Sequence, residues 1–186
     1  MTTTVTTPIL TAGTWTADTV HSDVAFKVRH MAVGKAKGTF DLKSATLVVD
    51  ENGAHSVTAE IDAASVDTKQ EQRDAHVRSA DFLDVENHPT LDFRSTSIVS
   101  HKGAEFVVRG DLTIRGVTRE VDLKVEFDGV AKSPWGQEVV AFTATTEFDR
   151  EEFGITWNQA LETGGVLVGK KIAVQISAEG VRQAAE

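Results

Sequence analysis

The sequence contains no cysteine, which excludes a disulfide framework and any thiol chemistry. Small secreted folds more often carry disulfide bridges, so this absence favours the cytoplasm. No run of apolar residues approaches the roughly 20 residues of a membrane-spanning helix. The N-terminal segment Met1–Pro8 lacks both the basic start and the apolar centre of a signal peptide. Together these absences predict a cytoplasmic protein without an integral membrane segment.

Clustered basic residues are also scarce. The chain has 28 acidic and 19 basic residues, which give a formal net charge of −9, and the acidic residues are spread along its length. Binding to nucleic acid or to an anionic membrane needs clustered lysine and arginine. The overall charge therefore disfavours both kinds of partner and is typical of a soluble protein.

Outside one segment, the chain alternates apolar and polar residues with the two-residue period of half-buried strands. About eight strands are predicted between Trp15 and Ala178, a count typical of a small closed antiparallel barrel. The polar segment 34–38 is interpreted as a link between strands. With 186 residues the chain can form one domain with its own core. We predict an all-β fold in which residues 1–13 are a flexible tail and residues 14–182 form a single barrel domain.

Two turns fix the predicted pairing of neighbouring strands. The Arg115-Gly116 turn predicts a tight hairpin in which Val108 lies opposite Leu123. This register makes one face of the pair apolar and the other polar, as in a sheet with one buried side. The loop after Val49 is predicted to have three or five residues and to place Val57 opposite Val49, since this register keeps the faces matched.

The segment 66–84 breaks the strand pattern with a run of charged and amide side chains. Thr68 followed by Glu71 fits a capping box, so a short helical insert is predicted around residues 68–80. The charged residues of this insert are either a lid that orients a polar ligand head or a solvated face whose ion pairs contribute little. They are Arg73, Asp74, His76, Arg78 and Asp81.

The six histidines are the starting point for any enzymatic interpretation. Their spacing matches neither a His-Glu-x-x-His nor a zinc-ribbon pattern, so no metal site is predicted. The sequence has no Gly-x-Ser-x-Gly elbow, phosphate loop or dinucleotide motif, so no cofactor is predicted. Isolated histidines seldom meet the geometric requirements of catalysis, which makes a general-base role for His21, His30 or His76 the weaker interpretation.

The apolar strand faces can form either a filled core or the wall of a ligand cavity, because eight-stranded barrels do both. Gly110 and Ala144 are small residues on inward faces, where they would leave volume. Arg119 lies on the apolar face near a strand end, where it either extends to the barrel rim or meets the acidic end of a ligand. The residues alone leave both outcomes open.

Four stretches, taken in this order and spacing, resemble the YceI-like family over nearly the whole chain from Trp15 onward. They are Asp18-x-x-His21-Ser22-x-x-x-Phe26-x-Val28-x-His30, Arg73-Asp74-x-His76-x-x-Ser79-x-Asp81-Phe82, Gly110-Asp111-Leu112-Thr113-Ile114-x-Gly116-Val117-Thr118 and Phe153-Gly154-Ile155. Many family members are exported to the periplasm, whereas this chain shows no signal peptide. The cellular role of those members is therefore not carried over.

The resemblance implies a lipocalin-like antiparallel barrel with a short helical cover. It also implies an elongated apolar pocket for a polyisoprenoid chain, an isoprenoid quinone or a related long lipid. Members are not known as enzymes, so we expect a non-catalytic binding protein. Several members form dimers, so a homodimer is compatible with the resemblance, but the sequence leaves the oligomeric state open. The expected ligand-binding residues are Phe26, Val28, Phe93, Phe106, Leu112, Ile114, Leu123, Val125, Phe142, Trp157, Ile172 and Val174. The residues considered for the mouth of the pocket are His21, His76 and Arg119.

Three alternatives stand beside this hypothesis. The ligand could be a fatty acid or another amphiphile, because burial of about 0.8 kcal/mol per methylene discriminates poorly between apolar tails. An enzyme that uses His76 or His30 would need a histidine with a strongly perturbed pKa facing a cavity. A filled barrel acting as an interaction module would have no continuous internal cavity.

Overall fold

The structure is a computed structural model that describes residues 10–53 and 55–184. The strands are β1 (Gly13–Ala17), β2 (Asp23–His30), β3 (Gly34–Phe40), β4 (Leu42–Val49), β5 (His55–Asp62), β6 (Thr90–Lys102), β7 (Glu105–Ile114), β8 (Val117–Lys132), β9 (Glu138–Asp149) and β10 (Val168–Arg182). One helix, α1 (Glu71–Arg78), and two 3-10 turns, Ala63–Ser65 and Arg150–Phe153, complete the regular structure. Of the tail predicted at residues 1–13, residues 1–9 lie outside this description, and Leu10 is buried.

Eight of the ten strands close into an antiparallel barrel, which confirms the predicted fold class. β1 completes the ring because it pairs with β4 on one side and with the last residues of β10 on the other. β2 and β3 form a hairpin outside this ring, and β2 pairs with the earlier part of β10. None of the helices in the described part of the chain is long and apolar enough to cross a membrane.

β3 corrects the prediction that residues 34–38 are only a link, because this segment pairs along its length with β2. Gly38 lies opposite Phe26. A Cβ atom at position 38 would lie 2.6 Å from the Phe26 ring and 3.0 Å from the carbonyl oxygen of Asp67. The glycine is thus required by a close approach within a strand, although in the sequence it resembles a turn signal.

The hairpin of β7 and β8 has the predicted register, with Val108 opposite Leu123. Its turn residues Arg115 and Gly116 have φ values of 52° and 72°. Positive φ at both central residues is the geometry of a type I′ turn, whose twist matches the flanking strands. A local turn signal and a clear alternation were therefore sufficient to predict this pair.

β4 and β5 are joined by residues 50–54, so the loop has one of the two predicted lengths. The predicted register is wrong by two residues, because Val49 lies opposite His55 and Leu47 opposite Val57. An even shift keeps every side chain on its predicted face. Alternation fixes the face of a residue but does not distinguish registers that differ by two.

The helical insert is confirmed, whereas its predicted capping box is wrong. The N-cap of α1 is Gln70, whose side chain accepts a hydrogen bond from the backbone N–H of Arg73. Thr68 is buried before the helix, and its backbone N–H and hydroxyl donate to Asp74 Oδ1 at 2.8 and 2.5 Å. Arg73 in turn donates to the hydroxyl and the carbonyl oxygen of Thr68, both at 2.8 Å. These contacts fasten the helix to the segment that precedes it.

Buried apolar side chains form two clusters in the barrel. At the end nearest α1, Leu83 and Phe153 pack against inward residues of the strands. At the opposite end, Trp15 and Val140 belong to a second cluster, and each is only 1% exposed. Burial of these side chains stabilises the fold by about 25 cal/mol per Å² of apolar surface removed from water.

Gly110 faces inward as expected, but it does not leave the volume that the sequence suggested. A Cβ atom there would lie 2.4 Å from Phe93 Cζ and 2.5 Å from the carbonyl oxygen of Arg94. We expect Gly110→Ala to lower the free energy of unfolding by about 1–3 kcal/mol, because the Arg94 oxygen belongs to a paired strand and cannot move aside freely. Urea denaturation measures the change.

Gly180 provides the matched control for this substitution. A Cβ atom at position 180 would meet its nearest neighbour, a methyl carbon of Val140, at 3.4 Å, which is an ordinary contact distance. Gly180→Ala is therefore expected to change stability little. Equal stabilities of the two variants would disprove the close packing around Gly110.

Candidate functional site: the barrel cavity

A cavity of about 710 Å³ extends through the barrel. Its wall includes Leu83 and Ile114 near α1 and Trp15 and Val140 at the opposite end, so the cavity spans both apolar clusters. This volume falls within the range of about 300–1,000 Å³ typical of small-molecule sites. The alternative of a filled barrel required that no such cavity exist, and it is excluded.

All the residues expected to bind ligand line this cavity. They are Phe26, Val28, Phe93, Phe106, Leu112, Ile114, Leu123, Val125, Phe142, Trp157, Ile172 and Val174. Of the three residues considered for the mouth, His76 also lines the cavity. His21 lies on the surface beside Asp18, and exposed Arg119 donates to the carbonyl oxygen of Thr118 at 3.0 Å.

The cavity reaches the surface beside α1, where several residues are both exposed and part of its wall. They are Gln70, Gln72 and Arg73 around the start of the helix, and Arg29 on β2 is a further exposed residue of the wall. A side chain that is open to solvent and also lines a cavity marks its opening. Ser97 and Ile98 are exposed lining residues at the bulged part of β6. These two residues mark a second opening, and the opening beside α1 is the more polar one.

His76 is held in place by a carboxylate and two aromatic rings. Its Nε2 atom lies 2.8 Å from Asp81 Oδ2. The imidazole is edge-on to Trp157 at a centroid distance of 4.5 Å and to Phe82 at 5.0 Å. Such aromatic contacts contribute about 0.5–1.5 kcal/mol each. His76 therefore joins α1 to the long connection before β10 and forms part of the wall near the mouth.

A buried arginine in the same wall was missed by sequence reasoning. Arg150 is 2% exposed and donates to the carbonyl oxygens of Gly169 at 2.9 Å, Ile155 at 2.8 Å and Trp157 at 3.0 Å. Its guanidinium carbon also lies 6.0 Å from the centre of the Phe82 ring. The side chain thus ties the connection after β9 to the start of β10.

The electrostatic setting of Arg150 is unusual for an arginine. Desolvation by burial lowers the pKa of Arg150, while the carboxylates of Glu151 and Asp149 act in the opposite direction. Its sequence context, residues 149–152, is a run of charged residues typical of an exposed turn. Nothing in that run indicated burial, which depends on carbonyl groups brought together only by the fold.

The charged residues of the cavity wall are mainly cations. Arg29, Arg73 and Arg150 line the cavity, against Glu179 as the acidic lining residue. The wall is otherwise dominated by apolar side chains. Although the protein as a whole is acidic, the charged groups of its cavity favour a ligand that carries hydrogen-bond acceptors or a negative charge.

Asp18, His21 and Glu179 are the group within residues 10–53 and 55–184 whose geometry could suit a metal ion. Their ligand atoms lie within 4.8 Å of one another. The Nδ1 atom of His21 is already 2.9 Å from Asp18 Oδ2, and Glu179 adds only one further ligand atom. A structural zinc site uses four protein ligands. The hydrogen bond accounts for this arrangement, and we assign no metal to it.

The pKa values of two histidines, His21 and His55, are shifted in opposite directions from that of a free histidine. A hydrogen bond from His21 to the Asp18 carboxylate raises the pKa of His21, and the charges of Asp18 and Glu179 act in the same direction. Burial in the cavity wall lowers the pKa of His55. An NMR titration should therefore place His21 above and His55 below about 6.5. Asp18→Asn should return the pKa of His21 towards that value.

These shifts also set the sign of two pH effects on stability. Protonated His21 stabilises the folded state below about pH 6.5, and this contribution is lost as the pH rises through its raised pKa. His55 has the opposite effect, because the folded state disfavours its proton and loses stability as the pH falls below about 6.5. A pKa of His55 equal to that of His21 would contradict the burial of His55.

The amino-acid sequence is similar to those of known proteins. The model of the YceI-like domain matches residues 15–180. A UPF0312 protein of Staphylococcus epidermidis is 44% identical over 165 residues, which cover 87% of this chain and 94% of the relative. A UPF0312 protein of Staphylococcus aureus is 40% identical over 168 residues, which cover 89% of this chain and 95% of the relative.

Solved structures share the barrel. BcnA of Burkholderia cenocepacia has a TM-score of 0.72 at 23% identity and covers 88% of this chain and 98% of its own. The YCEI protein of Campylobacter jejuni has a TM-score of 0.67 at 27% identity, with coverages of 90% and 96%. A polyisoprenoid binding domain from Saccharophagus degradans has a TM-score of 0.66 at 10% identity, with coverages of 91% and 98%.

Proposed function

The chain belongs to the YceI-like family, and on that premise we propose that it is a non-catalytic carrier that holds the apolar chain of a long isoprenoid lipid inside its barrel. The observation that carries this proposal is the apolar cavity of about 710 Å³ that spans both ends of the barrel. The fold similarity to a protein described as a polyisoprenoid binding domain supports the choice of ligand class.

The driving force for such binding is the removal of apolar surface from water. Each buried methylene contributes about 0.8 kcal/mol, so a long chain gains affinity with every unit that enters the cavity. Aromatic rings such as Phe26, Phe106 and Phe142 stand along the wall and offer flat contact surfaces to branched hydrocarbon. Selectivity for chain length then depends on how much of the ligand the barrel encloses.

The polar end of the lipid is proposed to lie at the opening beside α1. Gln70, Gln72 and Arg73 border that opening and supply hydrogen-bond donors. Arg150 lies in the same cavity wall, where its guanidinium is already engaged by backbone carbonyls. An isoprenoid quinone and a polyprenyl derivative both carry acceptor oxygens that fit these donors.

The histidine geometry supports binding rather than acid–base catalysis. Of the three histidines considered for catalysis, His30 and His76 line the cavity, and His76 is packed between two rings with its Nε2 beside Asp81. His55 also lines the cavity, and its pKa is lowered mainly by burial. Desolvation of this kind is an ordinary consequence of an apolar wall.

Organic extraction of natively purified protein, followed by mass spectrometry, tests the proposal. We expect a lipid whose mass contains repeated isoprenoid units. Titration of the extracted protein with a polyprenol, an isoprenoid quinone and a fatty acid should show saturable binding, with the isoprenoids preferred. A preference for the fatty acid would favour the amphiphile alternative. A clean extract combined with no saturable binding would exclude a lipid carrier.

A further inference from the structure

The hairpin of β2 and β3 carries a concentration of positive charge that the rest of the chain lacks. β2 begins with one exposed carboxylate, that of Asp23. After it, residues 24–40 contain four basic residues and no acidic residue, whereas the whole chain has 28 acidic residues and 19 basic ones. The four are Lys27, Arg29, Lys35 and Lys37, and all are exposed. The net charge of −9 therefore does not describe this face of the molecule.

Strand pairing brings these four cations directly opposite one another. Lys27 lies across from Lys37, and Arg29 lies across from Lys35. Like charges in directly opposite positions of antiparallel strands are destabilising. Within residues 10–53 and 55–184, no carboxylate lies within salt-bridge distance of any of the four. This face therefore retains a repulsion that the fold itself does not neutralise.

The nearby lysines of β10 show the contrast. Lys170 lies 2.7 Å from a carboxylate oxygen of Glu151, and Lys171 lies 4.0 Å from one of Glu147. On the surface of an acidic protein, most lysines are expected to have a carboxylate nearby, as these two do. Their presence next to the hairpin shows that carboxylates are available in this region, yet among the described residues none forms an ion pair with the four hairpin cations.

The tip of the hairpin is apolar and exposed. Val33 is 91% exposed and Met31 is 48% exposed. Met31 and Ala32 have φ values of 53° and 61°, a conformation that normally favours glycine or asparagine. The tip is also anchored, because the backbone N–H of Met31 donates to the carbonyl oxygen of Leu167 at 2.9 Å. A turn that would ordinarily be polar thus presents two apolar side chains on a fixed support.

Protection of a sheet edge explains only part of this arrangement. Lysine on an edge strand prevents edge-to-edge aggregation, and β3 is such a strand. Lys27 and Arg29 lie on β2, which is paired on both sides, so edge protection does not account for them. It also does not account for Val33, because an exposed apolar tip promotes association.

The hairpin is continuous with the opening of the cavity. Val28, Arg29, His30 and Ala36 belong to the hairpin and line the cavity. A surface that contacts this hairpin therefore lies against an exposed part of the cavity wall, at Arg29. Basic residues around an exposed apolar tip match a bilayer interface, where cations meet anionic head groups and apolar side chains enter the acyl boundary.

We propose that the β2–β3 hairpin docks the protein on a bilayer surface that carries anionic lipids. Lys27, Arg29, Lys35 and Lys37 contact the head groups, and Met31 and Val33 enter the interface. Docking in this orientation places the opening of the cavity towards the bilayer. The docking surface does not depend on the chemistry of the ligand, so it can be tested separately from the proposed carrier function.

Vesicle co-sedimentation tests the proposal with the full chain after extraction of bound lipid. The probes are vesicles of phosphatidylcholine alone and vesicles of equal parts phosphatidylcholine and phosphatidylglycerol. We expect binding to the anionic vesicles only, weakening as salt is added because the contacts are exposed. The double variant Lys35→Gln, Lys37→Gln should bind about tenfold more weakly, since each basic residue near an anionic surface contributes to attraction.

Two matched controls separate this face from general effects. Lys102→Gln with Lys132→Gln removes the same charge from exposed positions at the ends of β6 and β8, and it should leave binding unchanged. Val33→Ser should weaken binding, whereas Val20→Ser at another exposed valine should not. The proposal would be overturned if the two double lysine variants lost vesicle binding equally, or if the two valine variants did. It would also be overturned if the unmodified protein did not bind anionic vesicles.

Two further outcomes are informative. Binding to a polyanion such as heparin as strong as binding to vesicles, with no dependence on Val33, would show a general anion surface and overturn bilayer docking. Saturable lipid binding without vesicle binding would overturn docking and leave the carrier function intact. Vesicle binding without lipid binding would support docking and count against the carrier.

Discussion

Replacement of Arg150 by methionine is expected to lower the free energy of unfolding by about 3–5 kcal/mol. The guanidinium donates to the carbonyl oxygens of Gly169, Ile155 and Trp157 within 3.0 Å. Hydrogen bonds that involve a charged group contribute about 1.5–3 kcal/mol each, and methionine leaves these acceptors without their charged donor. Because the three carbonyls belong to one local network, their contributions do not simply add. Urea denaturation followed by circular dichroism measures the effect.

Arg109 is the matched control for this prediction. It forms a two-pronged ion pair with Asp122, at 2.8 and 3.0 Å, on the exposed face of β7 and β8. An exposed pair of this kind contributes about 0.2–1 kcal/mol. Arg109→Met should therefore cost far less than Arg150→Met. Similar costs for the two variants would show that the buried network does not hold the connection before β10.

Arg150→Lys separates the role of charge from that of geometry. A lysine keeps a positive charge, but its single ammonium group cannot reproduce the planar fork of a guanidinium. The carbonyls that accept these hydrogen bonds belong to Ile155, Trp157 and Gly169, which lie on different segments of the chain. We expect an intermediate stability for this variant, because some of these acceptors lose their donor.

The fold was predictable where local signals agreed with one another. Strict alternation on β7 and β8, together with a turn containing Gly116, fixed the register of that hairpin correctly. The same alternation gave the right faces for β4 and β5 but the wrong pairing, since Val49 lies opposite His55. The alternation of apolar and polar residues shows which face of the sheet each side chain occupies. A turn of defined geometry is needed to fix which residues of the two strands lie opposite each other.

The errors share a physical cause, which is contact between residues that are distant in sequence. In the sequence Gly38 resembles part of a link, although its missing side chain makes room for Phe26 and for the backbone at Asp67. The spacing of Thr68 and Glu71 predicts a helix cap, although Thr68 is hydrogen-bonded to Asp74 in a buried contact. No local pattern in the sequence marks Arg150 as a buried residue. Each of these roles depends on neighbours that a short sequence window does not contain.

The cavity wall was easier to predict than its polar groups. The apolar residues expected to bind ligand follow directly from strand alternation, because the side chains of one face share one environment. The polar groups at the opening, such as Gln72 and Arg73, lie on an insert whose orientation is set by tertiary contacts. Their nearness to the cavity could not be derived from periodicity. A binding function was therefore predictable in outline, whereas the position of the opening was not.

Blocking the cavity should have the largest effect on function. Ala144 lines the cavity and lies opposite Val125 on β8 and Ile176 on β10. Ala144→Phe adds a ring where an enclosed chain would pass, so we expect the affinity for a long polyprenol to fall by at least about tenfold, or about 1.4 kcal/mol. Saturation binding of a labelled polyprenol measures the change. Urea denaturation of the same variant should show a loss of stability of about 1–3 kcal/mol.

The neighbouring residue Thr145 provides the control, because it is exposed on the outer face of β9. Thr145→Phe adds the same ring outside the barrel and should leave the affinity unchanged. Short prenyl chains should be less affected by Ala144→Phe than long ones, since they need less of the cavity. If a folded Ala144→Phe variant binds the long polyprenol as tightly as the unmodified protein, the chain does not pass Ala144. The lipid would then have to bind at the opening or on the outer surface.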